Sequence, residues 1–215
     1  MPDSDVNTSA DVISATLSLP EALQLALPPM TGELRFGSMD IAVAAIIDLA
    51  LRGRIVATKS RFGQPSNAKL TVVDDSPIGN APLDAVLQAF ARRGKPWKVY
   101  SAVTEMWVTV SEATTASLVA RGALGTHGTM RDRGSHLEPL DLALREESLA
   151  RLDRAPTSED PRATVLLDIR HHSAWGWTAK LGQTKPPILA DYPENVGITA
   201  RGALSALYIA TGSAV

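Results

Sequence analysis

The chain has no cysteine, which excludes disulfides and thiolate metal centres and fits a reducing, cytoplasmic setting. It has no excess of positive charge either: 21 Lys and Arg stand against 23 Asp and Glu, a formal net charge of −2. A global basic field for nucleic acid or acidic membranes is therefore excluded, and any such contact needs a local patch. Aromatic residues are only 5% of the sequence, so the core must be aliphatic, and the abundant alanine favours thin, closely packed helices. No apolar run approaches the roughly 20 residues of a membrane-spanning helix. The N-terminal stretch MPDSDVNTSADVISATLS lacks a basic start and an apolar centre, so no secretory signal is expected there. Nucleophile elbow, Walker loop, zinc-protease helix, calcium loop and dinucleotide fingerprint are all missing. A non-enzymatic protein without cofactor or metal is the expectation.

What is present is 215 residues, enough for one well-buried core or two small ones, organised around the stretch 39–56, MDIAVAAIIDLALRGRIV. Its apolar positions surround a narrow polar line of Asp40, Asp48 and Arg52, spaced by multiples of four and so aligned on one helix face. Asp48 and Arg52 can pair at i,i+4, and the rest of the circumference must be buried. Gly53 offers a left-handed helix end, and residues 54–58 read as a strand.

Around this helix the chain divides into short elements. Residues 1–17 read as a mobile tail. Ser18, Pro20 and Glu21 form a helix start with a capping box, and the helix must stop at Pro28 and Pro29. Residues 69–73 pair with 54–58 as a hairpin across the polar loop RFGQPSN. Pro82 opens a helix that ends at Gly94. Residues 97–109 fit a helix or a short strand, with helix favoured, and Ser111 can cap a further helix ending at Arg121 and Gly122. There the pattern of Arg52-Gly53-Arg54-Ile55 returns as Arg121-Gly122-Ala123-Leu124, followed by a polar loop and a second hairpin strand near Leu137. Gly202, in a similar string, lies within continuing apolar periodicity and is placed inside a helix. Residues 141–153 form an exposed amphipathic helix, Pro161 opens an apolar one, 175–193 is a Gly/Pro-rich connection, and 199–211 is a final core helix. The sum is a mainly α, single-domain helix bundle over 18–215, with a central buried helix, surrounding amphipathic helices and two β-hairpins.

Candidate sites are few. Asp168, His171 and His172 share a helix face, but a metal needs further ligands that the spacing of His127 and His136 does not supply. Glu146 and Glu147 read as a solvated face. Arg52 and Arg54, with Arg35 and Phe36 upstream, are the better anion-binding candidates, because a guanidinium fork suits phosphate oxygens. The same residues have a structural reading, with Arg52 on Asp48 and Arg54 on a strand edge. At the second hairpin tip, Met130, Arg131 and Arg133 can meet an anionic surface, with Asp132 between the two arginines.

Taken in order, LALRGRI, LTVVDDSPIGN with LD two residues on, LVARGAL, and DPRATVLL leading to His171 resemble the Golgi phosphoprotein 3 family, in a bacterial-type form. The resemblance covers roughly residues 18–172 and implies a mainly helical domain without catalysis. Eukaryotic members of that family are peripheral membrane proteins that bind phosphatidylinositol 4-phosphate and retain glycosyltransferases as adaptors. Their lipid pocket uses three arginines and a tryptophan. The matching arginine positions hold Ala42, Val108 and Ser111 here, and the tryptophan falls near Phe36 and Gly37. The expected partners are an anionic phospholipid headgroup at the inner face of a membrane, or the cytosolic tail of a membrane protein. A homo-oligomer through free strand edges is allowed. No nucleic acid is expected, although the repeated helix–hairpin grammar leaves a winged-helix-like nucleic-acid binder or a pure protein-interaction module as the alternative.

Overall fold

An apolar segment with one polar line can be stabilised only by neighbours on nearly every side, and the computed structural model of the chain arranges its elements accordingly. It describes residues 17–26, 39–59, 64–128, 136–154, 161–178 and 191–212; the expected N-terminal tail, apart from Leu17, lies outside them. The helices are α1 (Leu19–Ala26), α2 (Met39–Leu51), α3 (Ala81–Arg93), α4 (Val99–Ala120), α5 (Leu142–Arg154), α6 (Pro161–Thr178) and α7 (Glu194–Gly212). The strands are β1 (Ile55–Thr58), β2 (Lys69–Val72), β3 (Trp97–Lys98), β4 (Leu124–His127) and β5 (His136–Pro139). Among the described residues no helix is long and apolar enough to cross a membrane.

Helix α2 is buried from Asp40 to Ala50 and packs against α1, α3, α4, α6 and α7. Ile41, Val43, Ile46, Ile47 and Leu49 are fully enclosed, a gross gain on the order of 10 kcal/mol at ~2 kcal/mol per side chain. Its polar line is met from outside: Asp40 accepts the Ser173 hydroxyl at 2.9 Å, and Asp48 pairs with Arg52 at 2.8 Å.

The two Arg-Gly repeats end their helices in the same way. Gly53 and Gly122 take φ of 68° and 71°, and the next N–H groups, of Arg54 and Ala123, reach back to Leu49 and Leu118 at 2.9 Å each. The carbonyls of those same two residues then accept the N–H groups just past the end of the returning strand, from Val73 at 2.8 Å and from Leu140 at 3.0 Å. Two copies of one helix–hairpin unit result. They differ in completion, because the first hairpin gains β3 as a third strand while β4 and β5 remain a pair.

Two local expectations change. Ser111 caps nothing: α4 runs unbroken through it, with Ser111 buried between Val110 and Glu112 in sequence. The apolar line from Val99 through Val103, Met106 and Val110 to Leu118 continues past the serine, and packing against α2 and α3 overrides the serine's preference for a helix end. The short-strand and helix readings of 97–109 are both realised, β3 giving way to α4 at Val99. The Gly/Pro-rich connection starts later than residue 175, since α6 continues to Thr178; residues 179–190 lie outside the described ones.

Gly202 sits inside α7, where α7 crosses α4 and the 3-10 turn Pro65–Asn67. A Cβ there would meet the Pro65 carbonyl oxygen at 3.0 Å and Val99 Cγ2 at 3.1 Å. A Cβ on Gly197 would meet only the flexible tip of Arg201 at 3.3 Å. In urea unfolding, Gly202→Ala is expected to cost ~1–3 kcal/mol. Gly197→Ala is expected to be neutral or to gain up to ~1 kcal/mol from helix propensity. Equal effects would show that the backbone approach at Gly202 is not a tight one.

Candidate functional site

The polar centre of the molecule lies at the start of α1, where two buried carboxylates meet. Glu21 accepts the Ser18 N–H at 2.8 Å and the Ser18 hydroxyl at 2.6 Å. The expected capping box is thus half formed, with the serine hydroxyl turned toward the carboxylate. Glu21 also accepts the Ser117 hydroxyl at 2.6 Å and the Asn80 side-chain amide at 3.1 Å, and Arg121 Nε stands 3.4 Å away. One residue along, the Leu19 N–H donates to Asp48 at 2.7 Å. Asp48 further accepts Arg52 Nε at 2.8 Å and Arg162 Nη2 at 3.3 Å, and Arg162 also donates to the Leu17 carbonyl at 2.9 Å.

Three guanidiniums therefore surround two carboxylates at one helix N-terminus. The carboxylates are sealed, while the side chains of Arg52, Arg121 and Arg162 keep 37%, 37% and 31% of their exposure. Arg52 and Arg121 meet the buried acids through Nε. Burial pushes the Glu21 carboxyl up, but the bonds from Ser117, from the Ser18 hydroxyl and N–H, and from Asn80 outweigh it and hold the group below its ordinary value.

Arg54 belongs to a different constellation. Its Nε donates to the Asp74 carbonyl at 3.0 Å, and its Nη2 to the Ser76 hydroxyl at 3.0 Å and to the Ser76 carbonyl. With the Asp74 carboxylate at 3.4 Å, it fixes the turn after β2. The next acid, Asp84, accepts the N–H groups of Ile78, Gly79 and Asn80 at 2.7, 3.0 and 3.1 Å, and Asn80 caps α3. The string DDSPIGN with its following LD is thus a self-bonded turn.

Of the other candidates, Arg35, Phe36, Met130, Arg131 and Arg133 lie outside the described residues. Ala42 and Ser111 are buried and Val108 is half-buried, so these positions present no charge. Asp168 accepts the Tyr192 hydroxyl at 3.2 Å; burial, the Asp168 charge and this bond all push the phenol far up, keeping it a donor. His172 Nδ1 meets the Asp168 carbonyl at 2.8 Å and His171 is exposed. His127 and His136 stack at 4.6 Å across β4 and β5, and His127 meets Glu138 at 3.0 Å. Among the described residues no three His, Asp or Glu groups are placed to hold a metal.

Sequence reading reached Arg52 but not Arg121 and Arg162 as members of its cluster. The signal for Arg121 was the Arg-Gly echo, which makes it the counterpart of Arg52. Arg162 gave no local signal, because its partners are 145 and 114 residues away.

Architecture and polar centre together define a mainly helical domain built on one buried helix and two helix–hairpin units, with an arginine-ringed helix start. The chain belongs to the Golgi phosphoprotein 3 (GPP34) family, whose sequence model matches residues 19–177. No curated protein matches the chain. The matched span runs from the first residue of α1 nearly to the end of α6, and so includes both carboxylates and all three arginines.

The lowered Glu21 value fixes a sign. A carboxyl held below its ordinary 4.5 in the folded state contributes stability that is fully present above that pH and is lost as pH falls through the folded value. Glu21→Gln is expected to cost ~1–3 kcal/mol near neutral pH, with the gap to the wild type closing in acid below pH 4.5. Thermal melts across a pH series read this directly. A gap that stays constant into acid would remove Glu21 as the titrating group.

Proposed function

We propose that this chain is a non-catalytic adaptor that docks at the inner, anionic face of a membrane. The observation that carries this reading is the cluster of Arg52, Arg121 and Arg162, each paired with a buried carboxylate while part of its side chain stays exposed. A guanidinium already anchored on a carboxylate has given up part of its side-chain freedom on folding, so less remains to be lost when it meets a phosphate. Each basic group near an anionic bilayer contributes about 1 kcal/mol, so such a cluster gives reversible rather than permanent attachment. Arg54 supports the site indirectly, by fixing the turn after the hairpin that follows Arg52.

Family membership supports the adaptor class. Phosphatidylinositol 4-phosphate is the finer ligand within it. Ala42, Val108 and Ser111 replace the arginines that the resemblance expects, and so favour recognition of general negative charge over one headgroup. Met130, Arg131 and Arg133 are a second contact in this proposal, with the arginines at headgroup depth, because a charge buried among acyl chains is costly. Nucleic-acid binding draws no support from the first helix–hairpin unit. Its helix, α2, is enclosed on all sides and has no face for a groove.

Liposome flotation tests the proposal with phosphatidylcholine vesicles carrying increasing phosphatidylserine or phosphatidylinositol 4-phosphate. Binding should rise with either anionic lipid and fall with added salt. The Arg52→Gln, Arg121→Gln pair should weaken it by roughly thirtyfold, at about 1 kcal/mol per charge removed, while Arg52→Lys retains most of it. A folded sample that floats with no anionic vesicle would overturn the membrane reading.

A further inference from the structure

The solvent face of the first sheet opposes two like charges directly. Strand pairing sets Thr58 opposite Lys69 and Lys69 opposite Lys98. The neighbouring row, Ala57, Leu70 and Trp97, is buried. Side chains alternate between the faces of a sheet, so Thr58, Lys69 and Lys98 point together to the other face. All three are exposed. The Val99 N–H donates to the Ala68 carbonyl at 2.9 Å, which makes Lys69 and Lys98 a non-hydrogen-bonded pair, the register in which opposed side chains stand closest. Like charges placed opposite one another in this way destabilise a sheet.

Among the described residues no carboxylate relieves this pair, since neither lysine takes part in an ion pair. The next positions on the same face, Val56 and Thr71, are uncharged. Exposed Lys59 follows Thr58 and adds a third ammonium at this end of the sheet. Lysine on an edge strand guards against unwanted pairing. That accounts for Lys98, on β3, but not for Lys69, because β2 is the central strand. In a chain whose net charge is −2, this face is a local exception.

The face is also remote from the arginine cluster. Lys98 immediately precedes α4 and Arg121 immediately follows it. The 22 residues of that helix span about 33 Å at ~1.5 Å per residue, roughly three screening lengths in ~0.1 M salt. The lysines therefore act independently of the arginines proposed to meet the bilayer. Lysine is a hydrated point charge on a flexible stem and lacks the planar fork that grips a single phosphate. Such a face suits carboxylates spread along a chain.

We propose that this face binds an acidic segment of a partner protein, whose Asp or Glu side chains lie across Lys69 and Lys98 with Lys59 beside them. The bound carboxylates offset the repulsion that the free protein retains. The surface gives the adaptor reading its protein-facing side and rests on that reading, but not on its membrane half.

Fluorescence anisotropy of a labelled octaglutamate peptide with the full chain, at low salt and without vesicles, tests the site. The peptide should bind, and added salt should weaken binding. The Lys69→Gln, Lys98→Gln pair should weaken it roughly fivefold or more, the loss of two exposed ion pairs. The Arg52→Gln, Arg121→Gln pair should leave it unchanged. The lysine variant should also melt about 1–3 °C higher than the wild type at low salt, because the opposed charges are gone; its loss of binding is then no loss of fold. An unraised melting temperature would remove the unrelieved repulsion on which the site rests. Octaglutamate that does not bind, or binds the lysine variant equally well, would overturn the site. A lysine variant that no longer floats with phosphatidylserine vesicles would overturn it in favour of a bilayer contact. Flotation of the wild type decides the membrane reading separately, so either can fail while the other stands.

Discussion

Two negative charges enclosed beneath the first helix set the terms for most of this structure. Unpaired, each buried carboxylate would cost several kcal/mol, a large fraction of what a domain of this size has in total. Glu21 draws its partners from the start of α1, the cap of α3 and the end of α4; Asp48 draws its own from α1, α2 and α6. Both acids are therefore satisfied only when five helices have arrived in register. The aliphatic core around α2 provides the bulk of the stabilisation but little directional information, since one aliphatic contact resembles another. The carboxylates supply that direction.

The same arrangement explains why the residues that carry the family resemblance are so poor in ligand chemistry. In LALRGRI, Arg52 neutralises Asp48, Gly53 ends α2 in the left-handed region and Arg54 ties down the turn after β2. In the string DDSPIGN with its LD, Asp74 and Asp84 collect the N–H groups of their own turn. In LVARGAL, Arg121 faces Glu21, and in DPRATVLL, Arg162 spans Leu17 and Asp48. These motifs specify how helices stop and how buried charge is matched. Family identity here is largely an identity of fold. The exposed parts of the arginines are a by-product of internal pairing that a surface function can use.

Much of this fold is legible in the local sequence. The Asp48–Arg52 pair, the Gly53 and Gly94 ends, the start of α1 at Ser18, both hairpins and the helical place of Gly202 follow from interactions within a few residues of each other. Ser111 misleads because its local preference for a helix end is weaker than the apolar line that continues past it. Trp97 and Lys98 give no strand signal that can be separated from the helix after them. Their pairing is decided by Leu70 and Lys69, far upstream in the chain.

By itself, then, the sequence determined what short-range geometry controls: which segments are helical, where glycine stops them, which acid and base share a helix face, and the family to which the ordered motifs belong. Tertiary structure alone decided that Arg121 and Arg162 join Arg52, and that Glu21 is an internal charge rather than a simple cap. Each of those outcomes depends on groups from separate elements meeting in space. No local periodicity encodes such a meeting; it is set by how the faces of α1 to α7 pack around α2.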